Sequence, residues 1–210
     1  MYEKFGQFID GKWQASSNKE TYEVINPANE EVIGRASKAS PEDVDRALKS
    51  AEKGLEVWKK TSPWKRSSVI RKIADLIRAK QDVLAKWITL EVGKPFLEGK
   101  GEVGATADIF EWNSEETKRI YGQTVESRFE DTRIHVYYQP IGVVAAMSPW
   151  NFPLVLSGRK ISTALAAGCS VIIKPDVIAP GGVMELVDIC REAGVPPGVV
   201  NLLSGDPPSI

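Results

Sequence analysis

Three apolar runs dominate the last third of this 210-residue chain: residues 141–147 (IGVVAAM), 170–174 (SVIIK) and 198–205 (GVVNLLSG). Between them lie two stretches with helical spacing. One runs from about Pro153 to Ala167 and ends at Gly168; the other, GGVMELVDICREAG, places Val183, Leu186, Val187 and Cys190 on one face. Almost continuous apolar content suits strands covered on both faces of a parallel sheet. Strand, helix, strand, helix, strand at this spacing predicts two right-handed crossovers, the core of a doubly wound nucleotide-binding sheet. The expected class is α/β, with the parallel sheet incomplete because the residues stop after its third strand.

The first half reads differently. FIDGKW is a hairpin signal, with Asp10-Gly11 supplying left-handed turn residues, and TYEVINPANEEVIGRA repeats it around a longer turn. Ser40-Pro41 and Ser62-Pro63 each place a capping hydroxyl before a proline at a first helical position. A third helix stops at Gly93-Lys94-Pro95, and a fourth runs from about Phe96 to near Gly122. TRIHVYY alternates like a half-exposed strand, with Ile134, Val136 and Tyr138 on one side. The expected division is residues 1–122 as hairpins and helices, 123–140 as a strand arm, and 141–210 as the first part of a dinucleotide-binding domain.

Composition narrows the function. Apolar content is 42%, charged content 26% and net charge -1, so no basic field points to nucleic acid. No stretch is long enough to span a bilayer and the start lacks a signal-peptide core, so a cytoplasmic protein without membrane contact is expected. Two cysteines, Cys169 and Cys190, make no disulfide framework, and no metal is expected.

Gly99 to Gly104 matches the dinucleotide pattern GxGxxG, yet it follows a helix stop and lies in a charged helical stretch. Phosphate binding needs a strand before the motif and a helix starting within it. The carboxyl ends of the parallel strands are the better site. There SPWNFP places Ser148, Pro149, Trp150 and Asn151 after the first strand, and KPD places Lys174 and Asp176 after the second. Asn151 suits either a helix cap or a neutral donor aimed at developing negative charge. Lys174 suits either a snorkelling cation or a cofactor contact.

FIDGKW, INPANEEVIG, QPIGVVAAMSPWNFP, KISTALAAGCSVIIKP and GVPPGVVNLLSG, in this order, resemble segments of the NAD(P)-dependent aldehyde dehydrogenases. The resemblance runs along nearly the whole chain. It implies that Asn151 helps form an oxyanion hole and that Ser148, Pro149, Trp150, Lys174, Asp176 and Gly205 contact NAD or NADP. It implies a small aldehyde as substrate and an arm over residues 123–140 that builds a homo-oligomer. The family's chemistry also uses a cysteine nucleophile and a glutamate base, which lie downstream of the segments seen here. Cys169 and Cys190 read as packing residues, and His135 receives no role. The chain alone is therefore expected to be inactive, the front part of such an enzyme; a non-catalytic nucleotide-binding or oligomerisation half-protein is the alternative.

Arg159 lies eight residues after Asn151, on the helix that starts at Pro153. An arginine there is similar to the succinate-semialdehyde branch, whose substrate ends in a carboxylate that a guanidinium fork matches. A purely structural arginine is the other reading. Val177 stands where the family usually has a glutamate for the ribose hydroxyls; Asp176 is the nearest replacement, and NAD versus NADP stays open.

Overall fold

A computed structural model of the protein describes residues 2–206. Its order is β1 (Gln7–Ile9), β2 (Lys12–Gln14), β3 (Thr21–Ile25), β4 (Val32–Ser37), α1 (Pro41–Trp58), α2 (Pro63–Ala79), α3 (Gln81–Val92) and α4 (Phe96–Glu116). Then follow β5 (Gln123–Glu126), β6 (Arg133–Val136), β7 (Val143–Met147), α5 (Pro153–Ala167), β8 (Ser170–Lys174), α6 (Gly181–Ala193) and β9 (Val200–Leu202). The main sheet runs β2-β1-β9-β8-β7; β7, β8 and β9 are parallel, and the first hairpin joins antiparallel to β9 through Phe8 and Leu202. The expected α/β class and both crossovers are therefore present.

Local chemistry accounts for the elements. Asp10 and Gly11 adopt φ of 54° and 76°, the left-handed pair that a tight two-residue hairpin requires. Ser40 accepts from Asp43 N while the Asp43 carboxylate accepts from Ser40 N, a reciprocal cap contributing about 1 kcal/mol to α1. Gly93 and Gly168 end α3 and α5 in the left-handed conformation.

Helices cover both faces of the sheet. On one side Ile172 and Leu203 pack with Val44 and Ala47 of α1. On the other, Val171 and Ile173 join a core with Leu154, Ile161 and Leu165 of α5 and Val183, Leu186 and Val187 of α6. A further layer, α2 to α4, buries Ile70, Ile73, Ile77, Leu84, Ile88, Val103 and Phe110 against those crossover helices. At Gly158 a methyl group would collide with Thr106 and approach Phe110, so glycine lets α5 and α4 touch.

Three expectations need correction. β7 is not covered on both faces: it is the edge of the described sheet, and of its residues only Ala146 is buried. An apolar run reports the environment of a completed fold, and it does not say on which side the neighbouring strand lies. Tyr138 does not extend the row of Ile134 and Val136, because β6 ends at Val136; β5 and β6 form an exposed two-stranded ribbon. The fourth helix stops at Glu116, short of Gly122, and passes into a 3-10 turn over Thr117–Arg119.

Candidate active site

Strands β7 and β8 end in register, Met147 opposite Lys174, and Ser148 N donates to Lys174 O at 3.2 Å. The two strand-end segments therefore sit side by side. Ser148 is buried and its hydroxyl meets that of Ser157 at 2.6 Å, which ties the turn to α5. Trp150, Asn151 and Phe152 are exposed beyond it. No described residue hydrogen-bonds the Asn151 side-chain amide.

The helix behind Asn151 begins without a local cap. Its N-cap is Phe152, and Pro153 at the first position has no N–H to satisfy. The two remaining free donors, Leu154 N and Val155 N, reach the same carboxylate oxygen, Oε1 of Glu102 on α4, at 2.9 and 3.4 Å. The other oxygen pairs with Lys94 Nζ at 2.6 Å. That ammonium also donates to Asn151 O at 3.2 Å and lies 3.7 Å from the centre of the Phe152 ring. Asn151 is therefore not the cap of α5.

α6 repeats the device. Gly181 N and Gly182 N donate to the two oxygens of Glu91 on α3, at 2.7 and 3.2 Å. The Tyr2 hydroxyl donates to the same carboxylate. Burial pushes the Glu91 carboxyl up to about 7. Both crossover helices thus place two amino-terminal donors each on a carboxylate of the protein itself, where a pyrophosphate would otherwise meet them.

The remaining candidates sit as follows. Lys174 is half-buried, donates to Pro175 O at 3.4 Å and forms no ion pair among the described residues; burial lowers its pKa. Asp176 accepts from Ile178 N at 3.0 Å through one oxygen. Gly205 is buried just beyond β9. Arg159 is exposed midway along α5, where it lines a groove of about 530 Å³ beside the β7 edge with Ile141, Val144 and Cys169. Asn151 does not line that groove, so the two predicted substrate contacts are not brought into one cavity.

Cys169 and Cys190 are buried, and burial pushes the Cys190 thiol up to about 12. Cys190 is therefore not a poised thiolate. His135 on the exposed ribbon meets Thr124 Oγ1 at 3.1 Å. The GxGxxG match lies inside α4, where Gly99 allows close approach to Ala85 of α3. Sequence reading missed Lys94 and Glu102. The signal was a helix start, Phe152-Pro153, with no capping side chain of its own.

Residues 13–210 match the aldehyde dehydrogenase family. The chain is 41% identical to a glutarate-semialdehyde dehydrogenase of Pseudomonas putida, over 94% of this chain and 41% of that protein. It is 40% identical to an NADP-linked succinate-semialdehyde dehydrogenase of Escherichia coli, over 94% and 41%. Among solved structures, a succinate-semialdehyde dehydrogenase from Burkholderia pseudomallei superposes with a TM-score of 0.96 at 38% identity, over 98% of this chain and 42% of that one. A betaine aldehyde dehydrogenase from Staphylococcus aureus, solved with NAD+, gives 0.95 at 34% identity, over 98% and 42%. The chain spans about two fifths of the length of these relatives. By the match along almost all of its residues, it belongs to the aldehyde dehydrogenase family.

Proposed function

We propose that this chain supplies the oxyanion donor and part of the cofactor crevice of an NAD(P)-dependent aldehyde dehydrogenase acting on a small, ω-carboxylated aldehyde. The observation that carries this reading is the exposed Asn151 amide at the end of β7, with the helix behind it already capped by Glu102. A neutral amide on a fixed backbone can donate to the aldehyde oxygen as that oxygen becomes negative, without itself titrating.

The crevice residues fit one half of a dinucleotide. Lys174 offers a half-buried ammonium with a single long protein hydrogen bond, and Asp176 keeps one oxygen for a hydroxyl donor. These suit the adenosine ribose, with Ser148, Pro149, Trp150 and Gly205 forming the walls. The starts of α5 and α6 do not suit the pyrophosphate, because Glu102 and Glu91 already hold their donors. When bound, the dinucleotide accepts the two electrons released as the aldehyde becomes an acid. Nucleophile and general base are provided by neither Cys169 nor Cys190. A cytoplasmic homo-oligomer, joined through the ribbon of residues 123–140, completes the reading.

In active holoenzyme, Asn151→Ala lowers kcat by about 100–1000-fold, read from NAD(P)H absorbance under saturating substrate. An unchanged kcat would remove Asn151 from the reaction. Arg159→Leu lowers kcat/KM for a carboxylated semialdehyde by about 10–150-fold more than for an uncharged aldehyde of equal length. Equal losses would make Arg159 structural.

A further inference from the structure

We propose that Lys94 and Glu102 are positioning residues that clamp the backbone of Asn151 and so aim its amide. The inference rests on the reading of Asn151 as the oxyanion donor. It adds two residues from the helical layer, outside the strand ends that carry the proposed crevice.

The geometry is a closed chain of contacts. Glu102 Oε1 takes both free amino-terminal donors of α5, and Glu102 Oε2 takes the Lys94 ammonium at 2.6 Å. Lys94 in turn donates to Asn151 O at 3.2 Å and covers the Phe152 ring. The residue before the helix, the helix start and the strand end are thereby held to one ion pair on α4 and the α3–α4 turn. The Glu102 side chain is 1% exposed and that of Lys94 12%, so water competes little for either partner.

Burial fixes the direction of the pull as well. Glu102 falls on the apolar face of α4 with Val103, Thr106 and Phe110, which leaves its carboxylate little freedom to swing. Lys94 follows Gly93, whose left-handed conformation ends α3 and turns the chain back toward α4. The Asn151 carbonyl thus meets a donor whose own position is set by packing. A donor misplaced by about 1 Å costs an enzyme on the order of 100-fold, so the clamp acts on kcat and not on substrate affinity.

The test has two arms. Hydrogen exchange on the chain as it stands compares the parent with Lys94→Met, Glu102→Gln and Lys94→Arg. The clamp predicts at least tenfold faster exchange at Leu154 and Val155 in the first two, unchanged exchange at Val171 and Ile173 in β8, and recovery in Lys94→Arg. Uniform acceleration across the chain, or none at Leu154 and Val155, overturns it.

In active holoenzyme, Lys94→Met lowers kcat by about tenfold with KM unchanged. Combined with Asn151→Ala it lowers kcat no further than Asn151→Ala alone, because both act on one donor. Additive losses, or a change confined to KM, overturn the inference. A kcat that survives Asn151→Ala overturns the proposed function and the catalytic half of this inference, while the exchange arm still decides the clamp.

Discussion

The starts of α5 and α6 solve one problem with two chemistries. Each helix begins at the carboxyl edge of the sheet with no cap of its own, and each borrows a carboxylate from the helical layer. Glu102 beneath α5 is neutralised by Lys94. Among the described residues no cation pairs with Glu91 beneath α6; it faces the Tyr2 hydroxyl and the two glycine N–H groups, and burial raises its pKa. The difference teaches where a buried charge is tolerable. The helix that follows Asn151 is anchored by an ion pair, whereas the helix behind the second strand is anchored by an acid that gains a proton near neutrality.

The largest expected effect comes from breaking the ion pair. Glu102→Ala leaves Lys94 buried without a counter-charge and frees two helix donors, costing about 3–5 kcal/mol in urea unfolding. A loss below about 1 kcal/mol would show that the two caps are equivalent after all.

Next comes pH. The Glu91 carboxyl sits at about 7 in the folded chain against an ordinary 4.5. Its contribution to stability is complete below about 4.5 and is lost as pH rises to about 7, because over that range the folded state holds a proton that the unfolded chain has already released. Between pH 5 and pH 8 the loss is on the order of 2–3 kcal/mol, and Glu91→Gln flattens it. A parent and variant with parallel pH profiles would remove the contrast with Glu102.

The smallest effect is at Tyr2. Tyr2→Phe removes one donor to Glu91 and costs about 1 kcal/mol. Because that hydrogen bond holds the Glu91 carboxyl down, its loss shifts the pH dependence upward. Titration followed by unfolding at several pH values checks the sign.

The crossover strands, their helices and the first hairpin were legible because each is written in local pattern: Asp10-Gly11 in the turn, the glycine after each helix, the apolar runs between. The strand-end location of Asn151 and Lys174 followed from the same pattern. The caps were not legible, since Glu102 meets Leu154 across 52 residues and Glu91 meets Gly181 across 90. A charged residue in a helix ordinarily reads as solvated. What marks these two is position: Glu102 recurs with Thr106 and Phe110, and Glu91 with Leu84, Trp87 and Ile88, on stripes that are otherwise buried. Nor could pattern place β7 at an edge, because strand order is decided by tertiary pairing.

The pairing of Phe8 with Leu202 has a consequence in time. The first hairpin leaves the ribosome almost 200 residues before its partner strand is made. At about 5–20 residues per second, roughly 10–40 s pass before β9 can reach it. Meanwhile Phe5, Phe8 and Trp13, whose rings meet edge-on or tilted with Trp13 4.8 Å from each phenylalanine, have only one another for shelter. The main sheet therefore cannot close before β9 is made, and the hairpin waits for a strand encoded almost 200 residues further along.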